Sequence, residues 1–185
     1  VSDAFGVLGF SPRPDVSPES LHEAYLSRAG AAHPDNPASE PGALAALNAA
    51  RAVLASEPQR LRLLLALFWP AFVASAGEPA DWQLFAEVGE VSRSAAAAVN
   101  LRSTATSPLT RALAQGDIAH ALCQVKDMNE KCCALRLTLA GRLTRLDEQW
   151  PACDPQQIHD LAEAYTFWNR WNETLREAQV RLDGG

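Results

Sequence analysis

Lysine is almost missing from this chain: Lys126 and Lys131 are the only two among 185 residues, and the formal charge is −6. A dedicated nucleic-acid binder neutralises phosphates with a basic stripe, so that class of partner is excluded. Long apolar runs are missing as well. The longest, Leu61 to Val73, is interrupted by Arg62 and Pro70. It falls short of the roughly 20 residues that a bilayer-crossing helix needs, so no membrane insertion is expected. The opening Val1-Ser2-Asp3 carries no basic stretch followed by an apolar one, and a cytoplasmic location is expected.

Cysteine is present, at Cys123, Cys132, Cys133 and Cys153, but without a C-x-x-C pair or a histidine at zinc-like spacing. No metal and no cofactor are expected; reduced, mostly buried thiols packing like small hydrophobes are. The chain also has no G-x-S-x-G, no H-E-x-x-H and no phosphate-cradling glycine loop. His22, His120 and His159 have no partner spaced to make any of them a general base, so no enzyme is expected.

What the chain does have is helical periodicity. Hydrophobic residues make up 48% and charged ones 21%, a balance that a soluble globular fold can bury without a metal or disulfide. Phe5 and Leu8 sit at helical spacing before Gly9 and Pro12, which predicts one short turn or helix. Ser17-Pro18-Glu19 gives a cap, a proline at the first helical position and an acid in the first turn. The helix it starts should bury Leu21, Ala24 and Tyr25, and Pro34 should close it by disfavouring the α conformation at His33. A loop through Gly42 follows, then helices over residues 43–54 and 58–68.

Small residues and helix breakers from Ser75 to Ala80 mark a linker. The expected division is therefore 1–70, a linker at 71–80, and a bundle over 81–185. In the bundle, Asp81 is the expected cap of a helix reaching about Arg102, and Pro108 opens a short helix ended by Gly116. Asp117 then caps a long helix to about Trp150. Asp154-Pro155 starts the last one, with Leu161, Ala164, Tyr165, Trp168, Trp171, Leu175 and Ala178 as its buried side. No sustained period-two alternation occurs, so the fold class is all-α.

One loop stands out chemically. In His33-Pro34-Asp35 a proline stiffens the backbone between an imidazole and a carboxylate held away from the flanking helices. Asp35 suits a bidentate pair with a partner's arginine, and His33 both donates and accepts hydrogen bonds. The order of short helix, capped helix, His-Pro-Asp loop and helix with a central Asn48 resembles the J-domain family. Phe5, Leu8, Leu21, Tyr25, Leu54, Pro58 and Arg60 also match it.

The resemblance implies an antiparallel helix pair joined by that loop. It also implies docking on the ATPase domain of a seventy-kilodalton heat-shock chaperone through His33, Pro34, Asp35, Arg28 and Tyr25. Ser27, Gly30, Ala31 and Ala32 stand where the family usually carries Lys or Arg, so electrostatic steering should be weak.

The remainder resembles the co-chaperones of iron–sulfur cluster assembly, most specifically from Asn48 to Leu67. In them an apolar patch on the bundle binds the cluster scaffold protein, and the matching residues here are Leu84, Phe85, Val88 and Phe167. For Leu84 and Val88 the helical stripe fits an interface and a core equally well. Gly89 and Ser92 replace the acidic residues that flank the family's patch. The implied function is a co-chaperone that stimulates its chaperone's ATPase and delivers this client. A J-protein for another client, and a J-like interaction scaffold without ATPase stimulation, are the alternatives.

Overall fold

The computed structural model describes residues 3–32, 41–75 and 82–184. Over those residues the chain is all-α, with seven helices and no strand: α1 (Ala4–Leu8), α2 (Pro18–Ala29), α3 (Ala43–Ala55), α4 (Glu57–Phe68), α5 (Trp82–Thr104), α6 (Pro108–Glu148) and α7 (Pro155–Asp183). None is long and apolar enough to cross a membrane. By contacts the chain divides into two compact units. One comprises Val1–Gly77 with Ala140–Tyr165, the other Glu78–Leu139 with Thr166–Gly185. Residues 140–165, read from sequence as part of the bundle, therefore group with the first unit.

In unit 1, α1 has five residues, far too few for a helix to persist by itself. The Asp3 carboxylate accepts the Phe5 N–H at 3.1 Å, and Gly9, at φ 72°, supplies the left-handed residue that ends the helix. What holds α1 is burial. Phe5 and Leu8 are buried with Leu21 of α2, Leu47 and Leu54 of α3, and Leu64 of α4. Each such side chain contributes about 1.5–3 kcal/mol. Ser17 caps α2 by accepting the Ser20 N–H at 3.1 Å, with Pro18 at the first helical position as the sequence implied. Ser56 separates α3 from α4 in extended conformation.

The chain between α1 and α2 is irregular and is held by two charged groups. Arg60 of α4, only 3% exposed, donates from Nε to the Pro14 carbonyl at 2.7 Å and from Nη1 to the Leu54 carbonyl. Asp147, near the end of α6, accepts Arg13 Nε at 3.1 Å and the Asp15 N–H at 3.0 Å, and it pairs with Arg13 Nη2 as well. Burial works to raise the Asp147 carboxyl. The hydrogen bonds from Arg13 and the Asp15 N–H, with the charges of Arg13 and Arg60, outweigh it and hold the carboxyl below its usual range. Trp150 closes the unit, edge-on to Phe68 and Trp69 at ring-centroid distances of 4.8 and 5.8 Å.

In unit 2, α5 sends Val88, Val91, Ala95 and Ala98 into a core shared with Ala121, Val125, Met128 and Cys132 of α6 and Trp171, Leu175, Ala178 and Leu182 of α7. The expected buried side of α7 holds: Leu161, Ala164, Tyr165, Trp171, Leu175 and Ala178 are buried, and Trp168 is partly so. One expectation fails. Gly116 does not end a helix, and Asp117 does not start one, because α6 runs unbroken from Pro108 through both. A glycine costs a helix interior only about 1 kcal/mol, which the packing of Ala114 and Ala121 on either side of it overrides. The thiols also differ from expectation, since only Cys132 and Cys153 are buried while Cys123 and Cys133 are exposed. Burial pushes both buried thiols up from their ordinary values.

Two predictions follow from the anchors of unit 1. Arg60→Met keeps the bulk but strands the Pro14 and Leu54 carbonyls. It should lower unfolding stability by about 2–3 kcal/mol in urea titration. Asp147→Asn should cost about 1 kcal/mol at neutral pH, since half-exposed Arg13 is already partly screened. Because the carboxyl is held below its usual range, the wild-type advantage is complete above the unfolded-state value of about 4. It vanishes as pH falls through the lower folded-state value. Thermal melts from pH 6 to 2 should therefore converge for the two proteins at the acid end.

Candidate interaction surfaces

The segment carrying His33, Pro34 and Asp35 lies outside the described residues. Its frame on either side is described. Tyr25, in the penultimate turn of α2, is half-buried, and its hydroxyl donates to Asn48 Oδ1 of α3 at 2.9 Å. The Arg51 guanidinium, one turn further along α3, lies 4.7 Å from the Tyr25 ring centroid. Tyr25 is thus gripped at its polar tip and on its face, a cation–π contact worth about 0.5–1 kcal/mol where solvent reaches it. The contact joins α2 to α3.

Arg28 is exposed in the last turn of α2, where a cation favours the negative helix end. It makes no ion pair among the described residues and lies over Gly9. A β-carbon built on Gly9 would land on its guanidinium. The Gly9 position therefore serves twice, for the left-handed turn and for the room that Arg28 occupies.

In unit 2 the four residues matched to a client patch separate. Val88 is 3% exposed and belongs to the core. Leu84 and Phe167 are partly buried against that same core, and Phe85 stands out at 49% exposed. The reason is helical geometry. Leu84, Val88, Val91, Ala95 and Ala98 advance by four and three residues, one stripe of α5, while Phe85 lies about 100° around the helix from Leu84. The open choice between interface and core is settled as core for Val88. Phe167 stacks on Trp171 at 6.1 Å and 30°, and the Trp168 indole N–H donates to the Cys132 carbonyl at 2.8 Å.

Beside Leu84 runs a cleft of about 430 Å³, bounded by Glu87 of α5 and by Lys131, Leu135 and Thr138 of α6. Lys131 Nζ donates to Glu87 Oε2 at 2.5 Å and Gln83 to Oε1 at 3.2 Å. The Lys131 bond first and the Gln83 bond second hold the Glu87 carboxyl below its usual range. Apolar floor and charged rim together form a surface suited to a protein. Periodicity within α5 locates Leu84, but nothing local signals Glu87 with Lys131, whose pairing spans 44 residues. Arg51 escaped sequence reading too, although its position three residues after Asn48 puts both on one face of α3.

No family model matches the chain, and no curated protein and no solved structure does either. Among the described residues no group of three or more His, Cys, Asp or Glu side chains could hold a metal ion.

Truncation should separate core from surface on α5. Val88→Ala is expected to lower unfolding stability by about 1–2.5 kcal/mol, whereas half-exposed Phe85→Ala should cost less than about 1 kcal/mol. Denaturant titrations of both variants check the assignment.

Proposed function

We propose that the chain is a J-domain co-chaperone of the iron–sulfur assembly type. Its His33-Pro34-Asp35 segment docks on the ATPase domain of a seventy-kilodalton heat-shock chaperone and stimulates ATP hydrolysis there. Unit 2 presents the client, a cluster scaffold protein. The chain itself carries out no chemistry and acts in the cytoplasm. It needs no metal or cofactor, and neither nucleic acid nor membrane is a partner.

The observation that carries this reading is the grip of Asn48 and Arg51 on Tyr25. It holds together α2 and α3, the two helices that flank the tripeptide in the sequence. A carboxylate such as that of Asp35 pairs with a partner's arginine as a charge-assisted bond, and proline lowers the ordering cost of forming it. Arg28 adds the one arginine of α2. Such sparse charge gives modest steering and modest salt sensitivity.

For the client, exposed Phe85 beside Leu84 and the cleft rimmed by Glu87 and Lys131 supports a protein surface. Phe167 braces it through Trp171, and Val88 supports it from the core. The sparse basic charge of α2 favours one second reading, a J-like scaffold that binds a client without stimulating ATP hydrolysis.

Single-turnover ATP hydrolysis by the chaperone decides between them. Wild-type protein should raise the rate and His33→Gln should abolish the increase with the circular dichroism spectrum unchanged. Equal rates with wild type and variant would end the co-chaperone reading, and no stimulation by wild type would leave the scaffold reading. In a pull-down of the cluster scaffold, Phe85→Ala should reduce capture at least about tenfold, as loss of a central aromatic anchor does. Absence of capture by the wild type would assign a different client.

A further inference from the structure

The corner where α6 gives way to α7 carries a small polar cleft of about 290 Å³. It is lined by Arg142, Arg145 and Leu146 of α6, by Gln149 just past the end of that helix, and by Gln157 in the first turn of α7. All five lie within residues 140–165 and so within unit 1. Leu146, 5% exposed, is an apolar floor; the other four offer N–H donors, and no acid is among them.

The fold leaves these donors uncommitted. Among the described residues Arg142 and Arg145 make no ion pair, and the Gln149 and Gln157 side chains make no hydrogen bond. The acids of the same corner are engaged elsewhere. Asp147 takes Arg13 and the Asp15 N–H, Glu163 takes Arg62, Asp160 takes Gln156, and Asp154 caps α7 by accepting the Gln156 N–H at 2.9 Å. Glu148, the remaining acid, is exposed and does not line the cleft. Arg145 stands in the last turn of α6, where the helix dipole accounts for a cation. Arg142 lies a turn earlier, beyond that effect, and at i, i+3 the two like charges repel. An anion held between them removes the repulsion.

We infer that this cleft binds a phosphoryl dianion, as inorganic phosphate or as the phosphate of a small monoester. Two guanidiniums match a charge near −2, and a phosphoryl group brings three strong acceptor oxygens to two guanidinium forks and two amides. A carboxylate has one charge and two oxygens, so it fills one fork and leaves the other arginine unmet. The volume lies at the small end of ligand sites, room for the phosphoryl group and little attached to it. The inference is independent of the co-chaperone reading and uses no residue of the Tyr25 contact or of the cleft beside Leu84. Arg145, Gln149 and Gln157 are exposed, so affinity should be modest, with Kd on the order of 1 mM.

Titration of the full chain with inorganic phosphate, replacing chloride at constant ionic strength, tests it by nitrogen–proton NMR of the arginine Nε and glutamine amide groups. The signals of Arg142, Arg145, Gln149 and Gln157 should shift saturably. A monoester, glycerol phosphate, that binds as well shows that the phosphoryl group is what is recognised, and one that is shut out assigns the site to the free ion. Arg142→Gln and Arg145→Gln should each weaken binding at least about fivefold. Gln157→Glu should abolish it by setting an acid in the cleft, while a glutamate in the first turn of α7 favours the helix, so loss of folding does not explain the result. Arg176→Gln, which removes the same charge from exposed α7 surface in unit 2, should leave binding unchanged. Acetate should bind at least about tenfold more weakly than phosphate. No saturable shift in the wild type, acetate binding equal to phosphate, undiminished binding by Gln157→Glu, or an equal loss with Arg176→Gln would each overturn the inference.

Discussion

Arg60 is the constraint on which unit 1 turns. A guanidinium at 3% exposure is affordable only where its donors are used, and two of them bind the Pro14 and Leu54 carbonyls. One side chain of α4 thereby fixes both the irregular chain before α2 and the end of α3. Asp147, whose carboxyl feels the Arg60 charge, arrives from the far end of α6 and takes Arg13 and the Asp15 N–H. Remove this pair of anchors and the connection entering α2 has lost its polar supports, because Pro14 and Val16 are the only buried residues between Phe10 and Ser17.

The same arrangement explains why residues 140–165 belong with the first unit. Asp147 answers Arg13, Trp150 packs edge-on against Phe68 and Trp69, Glu163 pairs with Arg62, and Gln156 accepts the Ser75 N–H. Each contact is polar or aromatic at one point and individually modest. Together they make the corner between α6 and α7 a second wall for α4.

Local chemistry wrote much of this fold into the sequence. Asp3, Ser17 and the prolines at 18, 58 and 155 lie at or beside helix starts, and the stripe from Leu161 to Ala178 named the buried side of α7. The misses share one cause, competition between a local preference and packing seen only in three dimensions. Gly116 is a stop signal by propensity, yet α6 passes through it, with Ala114 before it and Ala121 after it buried. Val88 fits an interface by composition, yet its phase with Val91 and Ala95 turns it inward. Arg13 and Asp147 lie 134 residues apart, a distance over which no periodicity carries information. For the candidate sites, Tyr25 and Phe85 were legible as side chains; their partners Asn48 with Arg51, and the Glu87–Lys131 rim, were legible only as a neighbourhood.

Gly9 and Arg28 carry a consequence for the sequences of any relatives this chain has. The Arg28 guanidinium fills the space a β-carbon at position 9 would need, but it is the far end of a flexible, exposed side chain and can swing aside, so the left-handed φ of 72° is the firmer constraint. A chain that ends its first helix in this left-handed turn should keep glycine at position 9, whatever stands at position 28. Constancy at position 9 beside variation at position 28 would mark backbone handedness, not side-chain room, as the tighter condition at the entry to the fold.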